Sequence, residues 1–296
     1  MQAFRRRNDT KGKDGNEMIQ KEYSDGKKHI HVLSYGGGTQ STALLLLALE
    51  GEINGVIPDF IIFSDTGWEP QYVYDWVLKI NKYIKDKYGK EIVFTSNGNI
   101  RDDIVKSAKN GKRLASMPFF IKNKNGEIGM ARRQCTSEYK ILPINREIRK
   151  LLGYKPKERV KEIVHLWKGI STDEIQRVKP SRVNWQKAEH PLVDILNMDR
   201  SACIAYVERL GLGTPAKSSC IGCPFHDDEM WREMKLHNRK EFDDAVKIDK
   251  LVRNLPQFEG KAYLHRSGKP LDEIDFQENQ MDIDMFLNEC EGFCGN

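Results

Sequence analysis

Apolar residues in this chain come in short runs, separated by stretches with helical spacing. HIHVLS at 29–34 reads as a buried strand, because its apolar run is short and ends at glycines. An apolar helix over 39–50 follows the glycines. DFIIFS at 59–64 predicts a second strand, then a helix over 70–88 with Tyr72, Trp76, Ile80 and Ile84 four residues apart. EIVFTS at 91–96 predicts a third strand, followed by a helix over 100–109. EIVHLWKGI at 162–170 predicts a fourth. Strands alternating with helices in this way imply an α/β fold with a parallel sheet and right-handed crossovers.

Between the third and fourth strands the alternation breaks. Asn125-Gly126 is a hairpin signal, so 112–131 is expected to form an excursion or flap. A helix over 136–152 follows, and Pro143 is expected to end or kink its first turn. Beyond the fourth strand the pattern predicts a short helix over 172–178, a helix over 199–210, a loop holding Cys220 and Cys223, and amphipathic helices over 227–253. The last 40 or so residues read as acidic and irregular and end in ECEGFCGN. The organisation expected is a polar mobile tail over 1–28, one domain over 29–225, and a C-terminal helical, cysteine-containing extension over 226–296 packed on it.

Composition narrows the class. A chain of 296 residues, 39% hydrophobic and 31% charged, can bury a core without staples. No apolar run approaches the roughly 20 residues of a membrane-spanning helix. The start is polar and basic with no apolar stretch behind it, so the expectation is a cytoplasmic protein without a secretory signal. The net charge of +5 suits an anionic substrate such as a nucleotide without requiring one. Six cysteines stand at 135, 203, 220, 223, 290 and 294. In a chain of this size, such clusters point to metal binding or chemistry before disulfides.

The loop SYGGGTQS at 34–41 joins the first strand to the first helix. Gly36, Gly37 and Gly38 allow a tight turn with N–H groups facing a ligand. The helix N-terminus, Ser34 and Ser41 add donors for phosphate. DTGWEP at 65–70 follows the second strand, where ligands of open parallel sheets bind. Asp65 and Glu69 suit Mg²⁺ or ribose hydroxyls there. The alternative is a turn cap at Asp65 and a helix-dipole partner at Glu69. Arg132, Arg133 and Lys140 are candidate phosphate partners. Arg177 is a candidate bidentate contact to phosphate or sulfate, or else the partner of Glu174 three residues before it. Cys220 and Cys223 have the spacing for two sulfurs on one metal, with Gly222 permitting the turn. Cys203, within ACIAYV, reads as a core residue. His226 reads as a surface or capping histidine, with metal ligation the alternative.

SYGGGTQSTALLL at 34–46 resembles the PP-loop, SGGxDS, of the adenine-nucleotide α-hydrolase-like superfamily, and in particular its phosphoadenosine phosphosulfate (PAPS) reductase-like branch. Gly36 stands at the serine of that pattern and Gln40 at its acidic residue. DTGWEP, RRQCTSEYKILP at 132–143 and WKGISTDEIQRVKPS at 167–181 resemble further segments of that branch, and the likeness covers about 29–225. It implies an open parallel sheet with helices on both faces. It implies ATP or a PAPS-type adenine nucleotide held by Ser34, Tyr35, Gly36, Gly37, Gly38, Gln40, Ser41, Asp65, Thr66, Glu69, Gly169 and Arg177, with Mg²⁺. Asp65, Lys140 and Arg177 become the catalytic candidates, and Ser171 and Glu174 map onto the same segment. It also implies a [4Fe–4S] cluster on Cys135, Cys220, Cys223 and Cys290, with Cys294 or Cys203 as alternates for the last. A structural Zn²⁺ on Cys220, Cys223, Cys290 and Cys294, or no metal at all, are the other readings.

Three functions follow from the likeness. One is adenylation of a substrate with release of pyrophosphate, for sulfur transfer or nucleic-acid modification. The second is reduction of PAPS or adenylylsulfate, for which ECEGFCGN loosely resembles the E-C-G-x-H tail of the reductases, with Glu291 inserted and no histidine. The third is a non-catalytic nucleotide-binding subunit of a phage or defence complex. The partners implied are a nucleic acid, a sulfur-donor protein or a subunit from a mobile-element or defence operon, and no membrane.

Overall fold

The computed structural model describes residues 23–111, 117–215 and 217–276. Residues 1–22 of the tail expected over 1–28, and the C-terminal cysteines 290 and 294, lie outside the described residues, whereas Tyr23 at the other end of that tail packs on His29 of the first strand. The fold is α/β. Five strands, β1 (His29–Tyr35), β2 (Phe60–Asp65), β3 (Ile92–Ser96), β6 (Ile163–Lys168) and β7 (Gln186–Glu189), form one parallel sheet in the order β3-β2-β1-β6-β7. The strand β7, QKAE, is an edge strand with no apolar run, so periodicity alone does not reveal it.

Helices cover both faces. On one face lies α1 (Thr39–Leu49), every residue of which is buried, between α2 (Gln71–Tyr88) and α6 (Arg200–Arg209). A helix buried on all sides needs apolar residues on all sides, and TALLLLAL supplies them. Each leucine so buried contributes roughly 1.5–3 kcal/mol. Cys203 is fully buried in this layer, as expected for a core residue. On the opposite face α4 (Leu142–Leu151) packs Ile144 and Ile148 against Ile30, Val32, Ile62, Val164 and Leu166.

Pro143 does not break its helix. The turn before it, Ser137–Ile141, widens into a π-turn, and the helix runs on into α4. The nitrogen of Pro143 lacks the proton that a π-turn would send to the carbonyl of Glu138 and an α-turn to that of Tyr139. Asn97 Nδ2 donates to the first oxygen at 2.9 Å, and Ser64 Oγ to the second at 2.7 Å.

The excursion after α3 (Ile100–Asn110) forms the expected hairpin, β4 (Phe120–Lys122) with β5 (Ile128–Met130). A strand from the stretch read as irregular, β8 (Lys261–Tyr263), joins it in the antiparallel order β5-β4-β8. A buried carboxylate orders the same stretch. Asp249 of α8 (Arg239–Val252) accepts from Leu264 N at 2.7 Å and Leu271 N at 3.2 Å and pairs with Arg253. Burial raises the pKa of this carboxyl from its ordinary value, with the hydrogen bonds opposing. These C-terminal elements, with α7 (Asp228–His237), share one apolar core with α3 and the hairpin through Ile104, Phe119, Tyr139, Trp231, Phe242 and Leu264.

Replacing Ser64 by alanine removes the donor to the Tyr139 carbonyl with almost no change in volume. The expected cost is about 1–2 kcal/mol in urea unfolding. An unchanged midpoint would show that the π-turn satisfies that carbonyl by itself.

Candidate functional site

The strand order reverses between β1 and β6. From β1 the chain steps outward through β2 to β3, then crosses to β6 on the other side. In open α/β sheets ligands bind at such a switch point, outside the carboxyl ends of the strands. The glycine loop leaves β1 there, and Gly169 leaves β6 beside it. A Cβ on Gly169 would sit 2.6 Å from Ser41 N and 2.7 Å from Ser41 Cα. The two loops therefore touch backbone to backbone.

Only one glycine of the three needs its conformational freedom. Gly37 has φ +76°, whereas Gly38 has φ −96°. Ser41 Oγ accepts from Gly36 N at 3.2 Å and donates to Gly38 O at 3.2 Å, while Thr42 Oγ1 donates to Gly38 O at 2.7 Å. The loop thus holds its own shape with Ser41 turned into it. The first N–H groups of α1 lack intrahelical partners by geometry and give this end a positive potential.

Around the loop the candidate residues are buried and interlocked. Gln40 Nε2 donates to Ser171 Oγ and Glu174 Oε2, both at 3.4 Å. Glu174 in turn pairs with Arg177, and both lie in the 3₁₀ turn Thr172–Arg177. Burial raises the Glu174 pKa, opposed by the Arg177 charge. Of the two readings of Arg177, the ion pair with Glu174 is the one formed here. Tyr35 points into the core, its hydroxyl 3.1 Å from Thr42 Oγ1, so at the loop it offers backbone. Ser34 is buried beside Lys168, its register partner on β6. Lys168 was missed by the motif reading. Its signal is a cation closing the otherwise apolar run IVHLWK, and the fold buries it at the switch point.

Asp65 ends β2 and accepts from Gly67 N at 2.7 Å and Tyr74 OH at 2.8 Å through the same oxygen, Oδ1. It caps the turn, as one reading anticipated. Beyond it lies a second cluster. Thr66 Oγ1 donates to Glu69 Oε1 at 2.9 Å, Lys140 Nζ lies 3.9 Å from the same oxygen, and the Cys220 thiol donates towards it at 3.7 Å. Glu69 and Lys140 are both buried.

Cys135, Cys220 and Cys223 line one small cavity with Thr66, Lys140 and Phe225. Its volume is about 10 Å³, room for a single water. Cys223 N donates to Cys220 O at 3.0 Å across the turn. Cys203 lies in the core under α1 and does not reach this cavity. Gly222 is required for a reason other than a turn. It does not have positive φ, but its Cβ would fall 2.1 Å from the Trp68 ring, and Ile221 N donates to Trp68 O at 2.8 Å. The DTGW segment thereby carries the cysteine loop. His226 is buried, contrary to a surface placement, with Nε2 2.7 Å from Ser219 Oγ and its ring edge-on to Trp231.

No protein-family model matches the chain, and no curated protein matches it.

Gly169→Ala forces a methyl into the Ser41 backbone, which has no flexible end to yield. It is expected to destabilise by about 1–3 kcal/mol. Gly129→Ala, where an added Cβ meets nothing within 4 Å, serves as the control and should be near neutral. Equal unfolding midpoints for the two variants would show that the loops do not meet as described.

Proposed function

We propose that the protein binds an adenine nucleotide, ATP in the first instance, across the carboxyl ends of β1, β2 and β6, and adenylates a substrate. In that reaction a substrate oxygen attacks the α-phosphorus, the α–β bridging P–O bond breaks, and pyrophosphate leaves. A sulfur nucleophile then displaces AMP. The observation that carries this reading is the meeting of the glycine loop, the start of α1 and the Gly169 turn at the point where the strand order reverses. The positive end of α1 and Lys168 suit the phosphates. Asp65 keeps Oδ2 for Mg²⁺ or a ribose hydroxyl. Arg177 reaches an anion only by leaving Glu174.

The three thiols around the small cavity suit a thiolate-held metal centre. Cys135, Cys220 and Cys223 would hold it, and Cys290 remains the candidate for the fourth position. A cavity with room for a single water does not fit a [4Fe–4S] cluster, so of the two groups a single Zn²⁺ acting as a structural clamp is the one its lining suits. Lys140 places a buried positive charge beside the Glu69 carboxylate at the edge of the same cavity.

Gln40 favours a second reading. It occupies the acidic position of the PP-loop pattern and its amide is committed to Ser171 and Glu174. A nucleotide-binding subunit without catalysis, working beside a partner protein or a nucleic acid, fits that commitment.

Calorimetry with ATP is expected to show binding, and Lys168→Met, which keeps the volume, to weaken it about tenfold, or ~1.4 kcal/mol. A folded protein that binds neither ATP, PAPS nor adenylylsulfate overturns the reading. Pyrophosphate release, with and without nucleic acid, separates the enzyme from the non-catalytic subunit, and sulfite release from PAPS isolates the reductase. Iron and zinc analysis of anaerobically purified protein, with a visible spectrum, is expected to find a metal that Cys220→Ser with Cys223→Ser removes.

A further inference from the structure

Away from the glycine loop, near the amino end of β1, three of the chain's seven histidines converge. His29 and His31 alternate onto one face of β1, and the parallel register sets His165 of β6 directly beside His31. Glu189 ends β7 on the far side of β6. The ligand atoms of His31, His165 and Glu189 all lie within 4.8 Å of one another. His29 Nδ1 is 2.7 Å from His165 Nε2. The two histidines are enclosed, His31 8% and His165 4% exposed, while Glu189 closes the group from a half-buried position. Tyr23 roofs it, stacked on His29 at 3.5 Å between ring centroids with its hydroxyl 3.1 Å from His31 Nε2. Trp167 Nε1 donates to Glu189 Oε2 at 2.9 Å and holds that carboxylate in place.

Ligand atoms converge here from three strands. Asp25, His29, His165 and Glu189 form a chain of hydrogen bonds, carboxylate to imidazole to imidazole to carboxylate. His31 stands beside that chain, and its buried Nδ1 has no partner among the described residues. Imidazole nitrogens and a carboxylate drawn together from three strands, with one buried ring nitrogen left over, are the makings of a metal site.

We propose that His31, His165 and Glu189 bind a divalent transition-metal ion of the Zn²⁺ class, with His29 holding the His165 ring from its other nitrogen. Imidazole nitrogen with one carboxylate suits Zn²⁺ and not Mg²⁺, which prefers oxygen donors and retained water. Binding replaces shared protons by the ion, and the displaced protons leave to solvent. Three protein donors from neighbouring strands leave the fourth position to a water, and the ion's role is to tie those strands together. The ion would clasp β1, β6 and β7 together under Tyr23. Five strand steps carry the backbone from His31 to Gly36, about 16 Å, and none of the three residues lines the thiol cavity, so the site is independent of the nucleotide reading and of that cavity.

The test uses the full chain with its thiols blocked by alkylation after metal removal, so that cysteine contributes nothing. Calorimetry with Zn²⁺ alone is expected to find about one ion per chain, and His31→Gln and His165→Gln each to weaken it at least tenfold with unchanged circular dichroism. Co²⁺ on the unmutated, thiol-blocked chain is expected to give visible d–d bands without thiolate charge-transfer bands. This second measurement needs no variant to fold. A folded, thiol-blocked chain that takes up neither ion overturns the proposal and leaves a hydrogen-bonded histidine chain in its place. Zn²⁺ affinity indifferent to both histidine variants overturns it equally.

Discussion

The enclosure of α1 is the constraint on which the site depends. All eleven residues of the helix are buried, including the polar first turn Thr39, Gln40, Ser41 and Thr42. Buried polar groups must be paired, at a cost of about 1–3 kcal/mol for each one left bare. The protein meets this with partners drawn from distant segments. Thr39 donates to Pro215 O, Gln40 to Ser171 and Glu174, Ser41 and Thr42 to Gly38 O, and Trp76 donates to Thr42. The loops after β1 and β6 and the segment around 215 are thus drawn to one point. Gly169 is glycine because nothing larger fits where those backbones meet.

Trp68 plays the corresponding part at the end of β2. Its ring lies against Gly222, its carbonyl accepts from Ile221 N, and its indole donates to Asp244, which Arg101 also holds bidentately. One residue after the strand therefore joins the sheet to the cysteine loop and to α8. The cavity with its three thiols lies under this junction, next to the Glu69–Lys140 pair. Its small volume follows from the tight packing of the junction.

The two groups of charged and polar chemistry are kept apart by the sheet itself. The carboxyl ends of the strands hold the glycine loop, buried Lys168 and the Thr66–Glu69–Lys140 cluster. The histidine group sits towards the amino ends of β1 and β6, where the chain's first described residues fold Tyr23 over it. Parallel strands make this separation systematic, since every β-to-α loop emerges at the same end.

Much of the fold was legible in the sequence. The strands β1, β2 and β6 are apolar runs because both their faces are covered, and α1 is apolar all round for the same reason, while β3 at the sheet edge is readable from its apolar IVF although Phe94 is exposed. The glycine loop, the hairpin at Asn125-Gly126 and the core role of Cys203 were readable from local chemistry. The edge strands β7 and β8 were not, because QKAE and KAY carry no periodic signal and exist through the partner strand that pairs with them. Pro143 looked like a helix breaker, and only Ser64 and Asn97, arriving from other elements, supply the donors that let the helix continue. The sequence by itself determined which segments are strands and helices and which residue types could do chemistry. The resemblance implied Cys135 with Cys220 and Cys223, and the tertiary structure sets the three around one cavity; it also decided between the two readings of Arg177, and it alone decided that His31, His165 and Glu189 stand together. Those meetings depend on strand order and register, which follow from packing summed over the whole sheet and leave no mark at any single position.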